Sequence, residues 1–178
     1  MFKKALGLSV AVALMSASGF ASAASATTNI PVSASVSKAC TIGAPVAIAF
    51  GAYDPIGANA TAALTAVGQF SVTCSKGAGG LTVGMGPGLN AIAAQRFMVA
   101  ATGATPLKYD LFQPTGTGTT CPGTIPWTNT AGVGMLTLIT APDKNARVYS
   151  VCGSIPAGQD VAAVTDQYQD TVIATLNF

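Results

Sequence analysis

Apolar and polar residues alternate with a period of two along most of this chain, and runs with a helical period are scarce. Residues two apart share a face only in an extended strand, so the pattern predicts strands with one buried face rather than helices. Phe70, Val72 and Cys74 share one face, with Gln69, Ser71 and Thr73 opposite. Leu81, Val83 and Met85 follow the glycine turn at residues 77–80, and Leu107, Tyr109 and Leu111 alternate with Lys108 and Asp110. Val172, Ala174, Leu176 and Phe178 close the chain, interleaved with Ile173, Thr175 and Asn177. Near the front, Ile30, Val32, Ala34 and Val36 oppose Pro31, Ser33, Ser35 and Ser37. With 20 Gly and 10 Pro breaking these runs at short intervals, the expected architecture is an all-β sandwich of short strands. Residues 91–95 are the one place where a short helical turn is expected, and residues 116–129 read as a long loop secured by Cys121.

The first 23 residues have a different character. Lys3 and Lys4 precede an apolar run over residues 5–15, and Ala21-Ser22-Ala23 offers small residues for a signal peptidase. That is the layout of a secretory signal, with cleavage expected after Ala23. The run is much shorter than the roughly 20 residues that span a bilayer, so an integral membrane protein is not expected. Two of the eight cations are Lys3 and Lys4, so residues 24–178 carry as many cations as their six aspartates and have no net charge. The charges are scattered, which leaves no basic stripe for phosphates and argues against nucleic acid as a partner. Only 8% of residues are charged while 50% are hydrophobic. Such a surface suits a protein packed against copies of itself better than a dispersed monomer.

Export brings Cys40, Cys74, Cys121 and Cys152 into an oxidising compartment, where an even count reads as two disulfides. Four cysteines allow three pairings. We take Cys40–Cys74 and Cys121–Cys152, each worth about 3–4 kcal/mol by chain entropy. With no His and no C-x-x-C pair, a metal site is not expected.

Catalytic chemistry lacks parts. The chain has neither His nor Glu, which removes the commonest general base and half the carboxylates. Asp166 and Asp170 read as turn and strand-end residues. Gly84-Met85-Gly86-Pro87-Gly88 has the glycines of a phosphate loop, but Pro87 removes an amide and no Gly-Lys-Ser/Thr follows, so it reads as a turn. Asn59-Ala60-Thr61 satisfies a glycosylation sequon, a short pattern that arises often by chance. Trp127 reads as a cover for one end of the sandwich, with contact to a carbohydrate as the competing role.

The strand at residues 30–36 is the informative one. Pro31 lacks a backbone donor and belongs at an edge or a strand start. Residues 24–36 precede the first cysteine, so this apolar-faced strand is tethered rather than stapled. It pairs either within its own domain or with the open edge of another molecule; periodicity does not choose.

Several segments resemble the spore coat protein U domain family, which includes the pilins of archaic chaperone–usher (Csu-type) pili. They are Phe50-Gly51-Ala52-Tyr53-Asp54-Pro55, Val72-Thr73-Cys74-Ser75-Lys76-Gly77, Ile155-Pro156-Ala157-Gly158-Gln159, and Tyr168-Gln169-Asp170-Thr171-Val172 through Phe178. The resemblance implies an incomplete immunoglobulin-like sandwich lacking its last strand, over residues 37–178, with residues 24–36 as a donor strand extension. Ile30, Val32, Ala34 and Val36 would be the donor residues, and Val172, Ala174, Leu176 and Phe178 would edge the acceptor groove. Cys40–Cys74 matches the family's usual bridge, whereas Cys121 and Cys152 look like an addition. The implied role is a non-enzymatic pilus subunit at the cell surface, exported through the periplasm and supporting adhesion and biofilm formation. Its partners would be copies of itself or sister pilins, a periplasmic chaperone and an outer-membrane usher, with no cofactor required. The alternatives are a self-complemented coat protein and a carbohydrate-binding domain.

Overall fold

A computed structural model describes residues 24–116 and 118–178; the expected secretory signal lies outside the described residues. The chain divides into two units between Ser35 and Val36. In the first, residues 24–35 carry no helix or strand, and Ile30 and Val32 are exposed. Residues 30–37 thus form no ladder within a single chain. A strand exists only through ladder bonds to a neighbour, and alternation alone does not supply one.

The second unit is all-β. One sheet has the order β1 (Cys40–Ile42), β2 (Leu64–Cys74), β7 (Arg147–Ile155), β5 (Leu107–Phe112), β4 (Arg96–Met98). The other has the order β6 (Leu136–Thr137), β3 (Thr82–Met85), β8 (Ala174–Asn177). Every pairing is antiparallel, and the longest ladder runs from Leu64↔Ile155 to Val72↔Arg147 between β2 and β7. Val99 and Gln169 exchange both backbone hydrogen bonds at 2.9 Å. The continuation of β4 thus meets the leader of β8, and one side of the sandwich is closed.

The core follows the period-two pattern. Phe70, Val72 and Cys74 from β2, Val83 and Met85 from β3, Leu107, Tyr109 and Leu111 from β5, and Tyr149, Val151 and Ile155 from β7 are all buried. Each large apolar side chain among them gains about 1.5–3 kcal/mol on leaving water. Cys40 is joined to Cys74 and Cys121 to Cys152. The first bridge ties the edge strand β1 to the core strand β2; the second holds the loop before Trp127 against β7.

Two expectations are corrected, and a third residue is placed. Residues 91–95 are not helical: Ile92 and Gln95 pair at 3.0 Å around Ala93 and Ala94, both at positive φ (48° and 69°). A two-residue turn with both φ positive matches the twist of the strands it joins, and that gain outweighs the helix propensity of two alanines. The one helical turn among the described residues is a 3-10 turn at Ala58–Ala60. Trp127 does not cover an end of the sandwich. It is fully buried, its indole Nε1 donates to the Val83 carbonyl at 2.8 Å, and its ring meets Phe70 with centroids 6.0 Å apart. Asn59 is buried as well: Oδ1 accepts from Asp54 N and Nδ2 donates to Ala62 O, so the sequon amide is occupied.

Candidate functional site

Beside the Val99–Gln169 pair lies a cleft of about 840 Å³, with Gln169 itself in its lining. Its floor is Met98, Leu107 and Ile155; residues 47–53 form one wall and residues 161–170 the other.

The first wall depends on two glycines. A Cβ at Gly68 would come within 2.5 Å of Ile48 Cγ1, and one at Gly153 within 2.7 Å of Phe50 Cζ. Bare backbone at these adjacent core positions lets the chain after Val46 lie across the inner face of β2 and β7. Val46 still exchanges two hydrogen bonds with Gln69, at 2.7 and 3.1 Å. Beyond it, among the described residues, the backbone of residues 47–52 makes no hydrogen bond to other backbone. Ile48 and Phe50 nevertheless pack against the core.

The second wall continues into β8. Gln169 N and O both pair with Val99, and the carbonyls of Thr171 and Ile173 accept from Leu89 N and Gly86 N. Backbone groups alternate sides along a strand. Those of Asp170, Val172, Ala174 and Leu176 therefore point away from β3, along an edge that no strand covers. The side chains of Val172, Ala174 and Leu176 are half-buried against the core. Phe178 lies just past β8 with its ring 52% exposed. Among the described residues, the backbone of residues 47–52 and the outer edge of β8 are thus both without a strand partner.

The sequence reading missed the wall at residues 47–53. Its signal was available in the alternation of Ile48 and Phe50 with Ala47 and Ala49, just after Pro45.

Asp170 is no loose strand end either. Oδ1 accepts from Leu89 N (3.0 Å), Asn90 N (3.1 Å) and Asn90 Nδ2 (3.1 Å), and Oδ2 accepts from the Tyr109 hydroxyl at 2.6 Å. Nearby Arg96 is buried, and its guanidinium donates to the carbonyls of Met85, Gly86 and Trp127. Burial lowers its pKa, while the charges of Tyr109, Asp110 and Asp170 pull the other way. Most hydrogen bonds of this cluster hold backbone; the exceptions join Asp170 to Asn90 Nδ2 and to the Tyr109 hydroxyl. No group of three or more His, Cys, Asp or Glu that could hold a metal ion occurs among the described residues.

Burial, then the hydrogen bond and charge of Asp170, hold the Tyr109 hydroxyl protonated far above the ordinary tyrosine value of 10.0. Burial pushes Tyr149 the same way. A pKa raised in the folded state contributes stability that is complete below the unfolded pKa and is lost as pH rises. Denaturant midpoints are expected to fall as pH passes about 10, and Tyr109→Phe is expected to flatten that fall, with Tyr149 keeping a remainder. An identical pH slope for Tyr109→Phe and the parent chain would contradict this assignment.

Residues 26–175 match the family described as the Spore Coat Protein U domain. The chain belongs to that family. Within it, this spore coat protein U domain chain is 33% identical over 186 residues to Protein U of Myxococcus xanthus, a match that covers 99% of this chain and 98% of that protein. Among solved structures it is similar to the CsuC–CsuE chaperone–tip adhesion subunit pre-assembly complex from archaic chaperone–usher Csu pili of Acinetobacter baumannii. There the identity is 24% and the TM-score 0.45, over 80% of this chain and 40% of that chain. No helix among the described residues is long and apolar enough to cross a membrane.

Proposed function

We propose that this chain is a structural subunit of a chaperone–usher assembled surface pilus, polymerising head-to-tail by donor-strand complementation and supporting adhesion and biofilm formation. The observation that supports the reading is an apolar-floored cleft whose wall at residues 47–52 has no backbone partner, together with the uncovered edge of β8 among the described residues. Residues 24–36 of a neighbouring copy supply what it wants: an alternating strand whose Ile30, Val32 and Val36 are exposed. Seating Ile30, Val32 and Val36 at about 1.5–3 kcal/mol each gives several kcal/mol. Ladder bonds to Val172, Ala174 and Leu176 on one side and to residues 47–52 on the other add to this, and side-chain pockets set register. A one-residue slip turns Ser33, Ser35 and Ser37 inward and is rejected. Donor and groove are different surfaces, so the contact does not close on itself and grows a filament.

On this reading residues 1–23 are a secretory signal, residues 24–36 the donor extension and residues 37–178 the pilin domain. A periplasmic chaperone covers the groove before assembly, and an outer-membrane usher receives the subunit. The chemistry asked of the protein is binding, without cofactor or catalysis.

Deleting residues 24–36 is expected to leave export intact while surface fibres disappear from electron micrographs and ladders vanish from unboiled gels. Normal fibres from that deletion refute donation. A second reading, a coat protein whose own strand fills its own groove, draws on the near full-length similarity to Protein U. It predicts a monomer at all concentrations, whereas donation between copies gives oligomers. The carbohydrate reading loses its contact residue with the burial of Trp127.

A further inference from the structure

We infer that Gln159 is the positioning residue of the cleft, holding its floor and both walls in the arrangement that sets the register of an incoming strand. The inference rests on the donor-strand reading above and goes beyond it by assigning the control of register to one side chain.

The local problem starts with Pro156. β5 and β7 pair at Asp110↔Ser154, so the same register sets Lys108 opposite Pro156. Proline has no N–H to give to that ladder. The Gln159 carboxamide stands in for the missing strand residue: Oε1 accepts from Lys108 N at 2.8 Å and Nε2 donates to Lys108 O at 2.9 Å. Nε2 also reaches Pro156 O at 3.2 Å. One amide side chain therefore supplies both the acceptor and the donor that a strand neighbour would present.

The backbone of the same residue reaches the other way. Gln159 N–H donates to the Tyr53 hydroxyl oxygen at 3.0 Å, and that hydroxyl donates to Pro156 O at 2.9 Å. Tyr53 belongs to the first wall, Leu107 beside Lys108 and Ile155 beside Pro156 belong to the floor, and Val161, two residues after Gln159, opens the second wall. The three sides of the cleft meet at this residue, and their spacing is set by hydrogen bonds of fixed length rather than by deformable apolar packing.

The test uses the full chain and a synthetic peptide of residues 24–37 carrying a benzophenone at position 36. On the parent chain the peptide is expected to bind and to photo-crosslink to one short stretch of the cleft. Gln159→Met keeps the side-chain volume and removes the amide. Binding is expected to weaken about tenfold, the equivalent of losing one to two net hydrogen bonds, and crosslinks are expected to spread over several registers. The spread is the readout that a loss of stability alone does not produce. Tyr53→Phe, which keeps the ring and removes the hydroxyl, is expected to shift both readouts the same way and serves if Gln159→Met does not fold. Unchanged affinity and a single crosslink site in a folded variant overturn the inference while leaving strand donation standing. No binding by the parent chain sinks donation, and the inference with it.

Discussion

Trp127→Ala is expected to lower the unfolding free energy by about 3–5 kcal/mol, the largest effect of any single substitution in this chain. Trp127 is the largest fully buried side chain, so its removal leaves a cavity where the two sheets meet. Its ring packs on Phe70, which stacks in turn on Tyr149 at 5.8 Å, so the cavity opens against Phe70, whose own packing on Tyr149 limits how far it can shift to fill it. The indole N–H also satisfies the Val83 carbonyl, and truncation leaves that oxygen without its partner. Trp127→Phe retains most of the volume and is expected to cost about half as much, chiefly through the lost hydrogen bond. Denaturant unfolding followed by circular dichroism, with both disulfides intact, measures the difference. A loss below about 1 kcal/mol for the alanine variant contradicts the burial on which the argument stands.

Asp170→Ala is expected to cost about 3–4 kcal/mol, because it strips one carboxylate of four hydrogen bonds at once. Two of its donors are the successive amides of Leu89 and Asn90, which turn the chain after β3. A third, the Tyr109 hydroxyl, belongs to a side chain only 4% exposed and is left without an acceptor. The effect reaches function through geometry. Asp170 begins the free edge that continues into β8, and its side chain holds that edge against the rest of the sheet. Amide exchange at Gln169, whose N–H is bonded to Val99, is expected to accelerate by more than the global loss of stability explains. Asp170→Asn keeps the shape and one acceptor oxygen and is expected to cost about half as much. If the alanine variant unfolds within about 0.5 kcal/mol of the parent, the carboxylate is a surface group and not a clasp.

Arg96 shows where reading charges along a chain fails. As a sequence letter it counts with the solvent-exposed cations. In the fold it is 8% exposed and holds the carbonyls of Met85, Gly86 and Trp127 together. Nothing in its local sequence marks this, because the acceptors come from two other segments, 10 or 11 and 31 residues away. Asp170 is similar: its partners lie about 60–80 residues away (|i−j| 61 to 81), and a carboxylate near a strand start otherwise reads as solvated. Gln159 was legible only as part of a motif, since its use is defined by the proline it compensates and a strand distant in sequence.

The strands were far easier to read. At Phe70, Val72 and Cys74, at Leu107, Tyr109 and Leu111, and at Val172, Ala174 and Leu176, the face that alternation marks as apolar is the face turned toward the core. The reason is that a strand's two faces are fixed by the period of the backbone itself, whatever it pairs with. At residues 30–37 the pattern is as regular, but a single chain offers it no ladder among the described residues. Alternation says which face would be buried, not whether a partner edge exists.

Residue order alone set the class: all-β, with a tethered apolar segment and four cysteines, and motifs that resemble the spore coat protein U family. Those properties are local, set by backbone period, side-chain chemistry and short spacings. It took the folded arrangement to place Trp127 in the core, to let Ile48 and Phe50 in at Gly68 and Gly153, and to leave the backbone of residues 47–52 without a backbone partner beside a cleft. Each of these depends on segments distant in the chain meeting in space, where steric fit and hydrogen-bond reach, rather than periodicity, choose the partners.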